Sequence, residues 1–362
     1  SGNTPRHQAR DASGASGARK FTAAPPATQS HMISASAGSS GSVSVRQAAA
    51  LFRRAAEAGD LFARLSLGRM TMFGLGGVRE DHPAAIRLIR AAAEGGLPEA
   101  QATLARMLWF GAGGAERDEA AVVRLARLAA EAGNPTGQLT LGQLHGNGLF
   151  GVPRDDAEAV RLYRLAAAGG EPRGHFQIGA MYAEGSGGLP RSAAEAARQY
   201  RLGADAGDNE SRTALAGMYA AGEGGLPRDL AEAARLYRLS AEDGDPVAQH
   251  NLASLHQEGR GVPLDLREAA RLYRLAAEGG LAPSADVLAS FYRNGAGGLP
   301  RDDAEAVRWW RRAAELGWAP AQASLADAYQ SGEGVARDEA EAVRWLRRAA
   351  EGGMAVSQYN LA

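Results

Sequence analysis

Residues 245–280 read DPVAQHNLASLHQEGRGVPLDLREAARLYRLAAEGG, and the fold follows from how this stretch divides. Asp245 is an N-cap residue, and Pro246 stands at the first helical position, where a missing N–H costs nothing. On a 100° wheel Ala248, Leu252, Leu255 and His256 share one face of this helix A, which predicts that they enter the core. His250, Ser254 and Gln257 fall on the opposite, free face. Gly259-Arg260-Gly261-Val262-Pro263 then ends the helix, because glycine enters positive φ cheaply and proline cannot continue the ladder. Asp265 starts a helix B, and Glu268, three residues on, completes the pattern of a capping box. Ala269, Leu272, Tyr273 and Ala276 form its buried stripe, leaving Arg271, Arg274 and Glu278 outside.

The same stretch recurs along the chain. Its closing glycines are Gly59, Gly96, Gly133, Gly170, Gly207, Gly244, Gly280, Gly317 and Gly353, spaced by 37 residues five times and then by 36, 37 and 36. A period of that size marks a solenoid, whose units bury their apolar faces only against their neighbours. The cap pair returns as Asp155 with Glu158, Ser192 with Glu195, Asp229 with Glu232, Asp302 with Glu305, and Asp338 with Glu341. A large ring returns as Phe52, Tyr163, Tyr200, Tyr237, Tyr273 and Trp310, read as core because its spacing follows the repeat. The expected organisation is an all-α chain with a half repeat at 45–59, eight full repeats over 60–353 and a truncated repeat at 354–362.

Before this array, residues 1–44 are rich in Ser, Gly, Ala, Thr and Pro without helical periodicity, the composition of a disordered tail or linker. Over all 362 residues, 45% are hydrophobic and 22% charged, which suits a chain with a real core. Forty basic against 41 acidic residues give a net charge of −1, so no global field draws the protein to nucleic acid. The chain has no cysteine, which removes disulfides, thiolate nucleophiles and cysteine-bound zinc. No apolar run reaches the roughly 20 residues of a membrane span, so membrane insertion is not expected.

The segments AQHNLASLHQEGRGVPLDLREAARLYRLAAEGG (248–280) and AQASLADAYQSGEGVARDEAEAVRWLRRAAEGG (321–353) resemble the Sel1-like repeat, a relative of the tetratricopeptide repeat. The resemblance runs from about Arg46 to Ala362. A plain tetratricopeptide array has a period of about 34, shorter than the one found here. Most turns in this chain, reading GGLP or GGV, are longer than the family's G-x-G-V. The resemblance implies a right-handed α/α superhelical solenoid of helix-turn-helix repeats with helix A on the concave side. It also implies non-catalytic scaffold or adaptor roles in bacterial signalling or envelope assembly, in the cytoplasm or periplasm. Cysteine-rich relatives have been linked to β-lactam binding. Without cysteine or a Ser-x-x-Lys motif, this chain does not inherit that activity, and a hydrolase or a passive spacer stands as the alternative.

Glycine-rich turns such as GEGGLPRD follow helices and lack the Lys-Ser/Thr ending of a phosphate loop. Seven histidines stand singly, without metal-ligand spacing, so neither cofactor nor metal is expected. Arginines recur on helix B at Arg87, Arg124, Arg161, Arg198, Arg235, Arg271, Arg308 and Arg344. From Arg161 onward each has a Glu three residues before it, the pattern of a solvated, neutral face. Helix A's free face is more informative. Its first two copies carry Arg69, Met72 and Phe73, then Arg106, Trp109 and Phe110, where later copies carry mainly Gln, Ala, Ser, Asn and acids. Large apolar residues beside arginine have the composition of an interface hot spot, here for an acidic and apolar protein or peptide partner. The competing expectation is that the preceding half repeat or tail covers these side chains. Layers about 10 Å apart and an extended peptide advancing about 3.3 Å per residue give each repeat roughly three partner residues to read. Tyr359 and Leu361, in the incomplete last repeat, are expected to be covered by end-to-end self-association or by further chain.

Overall fold

The computed structural model describes residues 44–354. Among these are seventeen α-helices and two short 3-10 segments, and no strand. The first helix is α1 (Val45–Glu57). Four pairs follow it: α2 (Leu61–Met72) with α3 (His82–Glu94), α4 (Pro98–Phe110) with α5 (Glu119–Glu131), α6 (Pro135–Asn147) with α7 (Asp156–Ala168), and α8 (Arg173–Glu184) with α9 (Ala193–Asp205). Then come α10 (Asn209–Ala221) with α11 (Leu230–Glu242), α12 (Pro246–Glu258) with α13 (Leu266–Glu278), α14 (Ala282–Asn294) with α15 (Asp303–Glu315), and α16 (Ala319–Ser331) with α17 (Glu339–Glu351). The even-numbered helices are helix A of the repeat and the odd-numbered ones helix B. Helices of 12 or 13 residues are marginal alone, so packing holds them.

The chain forms two compact units, and the break in sequence falls between Ser211 and Arg212. In the first unit Leu65, Ile89, Leu104, Val122, Leu144 and Leu162 belong to one buried cluster, and Leu139, Val160, Tyr163, Ile178 and Met181 to a second. In the second unit Leu252, Leu288 and Leu325 of successive A helices are buried, as are Tyr237, Tyr273 and Trp310 of the B helices. The recurring ring is core in both units, since Tyr163 and Tyr200 are buried too, while Phe52 on α1 is half-buried against Ala56 and Leu67. Burial pushes the Tyr200, Tyr237 and Tyr273 hydroxyls up to about 12.

The six B helices that carry the Asp or Ser cap with Glu three residues on are capped as expected at the first link and differently at the second. The Asp155 and Asp302 carboxylates accept from the Glu158 and Glu305 backbone N–H at 2.9 Å. The glutamate does not reach back, however. It turns to the arginine three residues on, as in Arg161–Glu158 at 2.7 Å, Arg235–Glu232 at 2.7 Å and Arg271–Glu268 at 2.6 Å. The same pairing holds for Arg198–Glu195, Arg308–Glu305 and Arg344–Glu341. A guanidinium fork offers a charge-assisted, two-point bond that a single backbone N–H cannot match. The cap N–H is also already used, because it donates to a carbonyl near the end of helix A: Asp229 to Tyr219 at 2.9 Å, Asp265 to His256 at 2.9 Å, Asp338 to Tyr329 at 3.0 Å. The full capping box is found at Ser44, whose hydroxyl accepts from Gln47 and whose N–H donates to the Gln47 side chain.

Three further side chains depart from the wheel. His250, expected on the free face, is half-buried: its Nδ1 lies 2.8 Å from Ser284 Oγ and its ring meets Tyr273 edge-on at 5.3 Å. His256, expected in the core, is only half-buried and lies 3.3 Å from the Pro263 carbonyl. Arg274, expected outside, donates to the Tyr292 hydroxyl at 2.8 Å. All three are settled by a neighbouring turn or repeat, which a single-helix wheel leaves out. Except for Ser44, the tail expected over 1–44 lies outside the described residues. So do Tyr359 and Leu361.

Candidate functional site

The expected site lies in the first unit, on the last turns of α2 and α4. Both helices end at a left-handed glycine, Gly74 and Gly111, which stops the helix where its final side chains still project. That leaves Phe73 38% and Phe110 40% exposed.

Arg69 Nη2 donates to Thr103 Oγ1 on α4 at 3.1 Å, and that hydroxyl donates to the Glu99 carbonyl at 2.6 Å. Burial holds the Arg69 guanidinium below its ordinary pKa, with Glu99 acting in the opposite sense. Met72 is half-buried against the first unit's core cluster. The turn after α4 passes so near it that a methyl at Gly113 would come within 3.0 Å of the Met72 sulfur. Met72 therefore joins two repeats, and the turn of the following repeat covers part of it.

Arg106 is different. Among the described residues it has no hydrogen bond or ion pair. Burial lowers its pKa first and Arg173 lowers it further, while Glu171 and Glu210 oppose this. Those two carboxylates have closer partners. Glu171 accepts from Thr136 Oγ1 at 2.9 Å, and Glu210 pairs with Arg173 at 3.1 Å. Burial also acts to lower Arg173, but Glu210, Asp208 and Glu171 raise it overall. Guanidinium stays charged in proteins, so Arg106 keeps its proton and its N–H donors.

Trp109 stacks on Phe110 with centroids 5.6 Å apart and planes 14° apart, and it meets Phe150 edge-on at 5.3 Å and 69°. Phe150, in the turn after α6, was not singled out from the sequence. Among the described residues it is the one non-glycine with positive φ, at 55°. Aligning the turns shows the signal that could have found it: seven of the eight carry glycine at this place, namely Gly76, Gly113, Gly187, Gly224, Gly261, Gly297 and Gly334. A left-handed conformation costs a residue with Cβ roughly 1–2 kcal/mol. The structure thus brings Arg106, Trp109, Phe110 and Phe150 together, and links Arg69 to the same helix through Thr103.

Elsewhere in this unit a cavity of about 680 Å³ lies between α3, α4 and α5. Arg90, Glu94, Arg117, Asp118, Glu119 and Arg124 line it, an array of opposite charges without a hydroxyl or imidazole. Among the described residues no three His, Asp or Glu gather into a metal-binding group, and no helix is long and apolar enough to cross a membrane.

The model of the Sel1 repeat matches nine stretches: residues 37–60, 62–97, 98–134, 135–171, 172–208, 210–245, 246–281, 283–318 and 319–354. Among solved structures, a Sel1 repeat protein from Oxalobacter formigenes is 30% identical, with 86% of this chain and 88% of that one covered and a TM-score of 0.58. A protective antigen of uropathogenic Escherichia coli strains, displaying an SLR fold, is 33% identical over 86% of this chain and 73% of its own, with a TM-score of 0.48. No curated protein sequence matches the chain.

Proposed function

The chain belongs to the Sel1 repeat family, and from that premise we propose that it is a non-catalytic scaffold that holds a protein or peptide partner against its helix-A face. The partner surface comprises Arg69, Met72, Phe73, Arg106, Trp109 and Phe110. Phe73 and Phe110 supply exposed apolar contact, Arg106 supplies the charge, and Arg69, Met72 and Trp109 fix the shape beneath them. The observation that carries this reading is an arginine with no hydrogen bond or ion pair among the described residues, on the same helix A as the Trp109 and Phe110 rings. An acidic and apolar segment suits this face, because its carboxylate reaches the Arg106 donors while its apolar side chain packs against the exposed Phe73. The setting proposed is bacterial signalling or envelope assembly, as for the family at large.

Affinity capture with the whole chain, followed by mass spectrometry, identifies the partner. The reading expects its affinity to fall about tenfold or more in the Arg106→Glu, Phe110→Ala double variant, the size usual for hot-spot truncation. Retention of every captured partner by that variant, at unchanged affinity, would sink it.

A further inference from the structure

We propose that the cavity between α3, α4 and α5 binds a small zwitterion with an apolar side chain, a free α-amino acid or a short peptide. The site shares no residue with the partner surface above and stands or falls without it.

In other repeats the charged residues at the same places close on one another. In three later copies the arginine after the turn pairs with an acid two residues on: Arg154–Asp156 at 2.8 Å, Arg301–Asp303 at 3.2 Å and Arg337–Glu339 at 2.6 Å. The arginine within helix B pairs with the glutamate three residues before it, as Arg161 does with Glu158. In the copy that lines the cavity both pairings are missing. Arg117 and Glu119 hold the places of Arg154 and Asp156, yet neither side chain has a hydrogen bond or ion pair among the described residues. Arg124 holds the place of Arg161, but Ala121 stands where the glutamate would be. The turn departs as well, since Glu116 replaces the proline found as Pro153, Pro190, Pro227, Pro263 and Pro300. All five of these residues, Glu116, Arg117, Glu119, Ala121 and Arg124, line the one cavity.

From the facing helix α3 come Arg90 and Glu94, whose side chains likewise have no hydrogen bond or ion pair among the described residues. Asp118 is already engaged, because its carboxylate caps α5 by accepting from the Ala121 N–H at 2.9 Å. Arg90, Arg117 and Arg124 are thus set against Glu94, Glu116 and Glu119. A simple anion would meet three carboxylates there and a simple cation three guanidiniums, whereas a molecule carrying both charges complements both sets. The apolar part of the lining is Leu104, Leu108 and Leu125, all buried, and Leu128, which is 41% exposed. In α15 the place of Leu128 is held by Arg312, which crosses to the Glu278 carbonyl of the preceding helix B at 3.0 Å. Leucine has no donor for that bond, so the groove here is not bridged and its apolar lining is free to receive a side chain. The volume of about 680 Å³ falls within the range of small-molecule sites, about 300–1,000 Å³.

The experiment is isothermal titration calorimetry of the full chain with four ligands. Two are zwitterions, L-leucine and L-leucyl-L-leucine. The others are N-acetyl-L-leucine, which lacks the ammonium, and L-leucine amide, which lacks the carboxylate. At least one zwitterion is expected to bind about tenfold more tightly than either blocked form, the size of one charge-assisted contact. Tighter binding of leucine assigns the cavity to free amino acids, and tighter binding of the dipeptide assigns it to peptides. Ala121→Glu installs the residue of the later copies and gives Arg124 its usual partner. It is expected to weaken zwitterion binding about tenfold with helical circular dichroism unchanged. Arg124→Ala is expected to cause a similar loss without adding an acid. Unchanged affinity in either variant, or zwitterions that bind no better than the blocked forms, overturns the proposal.

Discussion

His250 shows how one side chain ties successive repeats together and makes stability depend on pH. Burial lowers its pKa, so folding favours the neutral ring, which stands against Ser284 and Tyr273. The folded pKa lies below the unfolded one, about 6.5. The stability tied to the neutral ring is therefore present above that value and is lost as pH falls through it toward the folded pKa. Wild type is expected to lose more of its Tm than His250→Gln between pH 7.5 and 5.5, as read by thermal melts. Parallel curves would refute the assignment. At this scale the sequence was legible where a residue's surroundings are its own helix, as for Ala248, Leu252 and Leu255, all buried as the wheel places them. It was not legible for His250 or Arg274, whose partners lie 34 and 18 residues away. Phe150 stayed hidden because its meaning is relative: it stands out against the other turns and carries no pattern of its own.

Helices of this length depend on their ends as much as on their faces. Asp229 caps α11 by accepting from Glu232 N–H at 2.9 Å, whereas the Glu232 side chain is engaged with Arg235. Asp229→Ala is expected to cost about 1 kcal/mol, the usual loss of a cap. Glu232→Ala is expected to cost only about 0.3 kcal/mol, the scale of an exposed pair three residues apart. Equal losses in urea titrations would mean that the glutamate does serve the cap. Leu288, fully buried in α14, is expected to cost about 2–5 kcal/mol when replaced by Ala, because helices on either side keep the cavity from closing. A loss below 1 kcal/mol would show that the site collapses. Cap positions were readable from Asp and Ser spacing alone, but the fate of each glutamate was not. One acidic side chain satisfied two local rules, and the choice between them turned on the carbonyl of helix A that had already taken the cap N–H.

For a molecule built from one repeated pair, stability accumulates from each pair and its contact with the next. Excision of Asp245–Gly280 joins Gly244 to Leu281 in register and is expected to leave a folded protein, with helical circular dichroism reduced in proportion to one repeat. General loss of helical signal would show that the second unit folds only as a whole. The period and the pairing of helices were legible over the described residues, since both follow from glycine spacing and apolar periodicity. The division into two units after Ser211 was not, because no change of composition marks it. One backbone bond described above bears on how such a chain changes over generations. The link from the start of helix B to the end of helix A is 2.8 Å long across the turn Gly185–Arg191 and 2.9 Å across the turn Gly259–Leu264, which is one residue shorter. Loop length is thereby uncoupled from the geometry of the pair, so unequal exchange between gene segments of 36 and 37 codons yields hybrids whose helices still meet correctly.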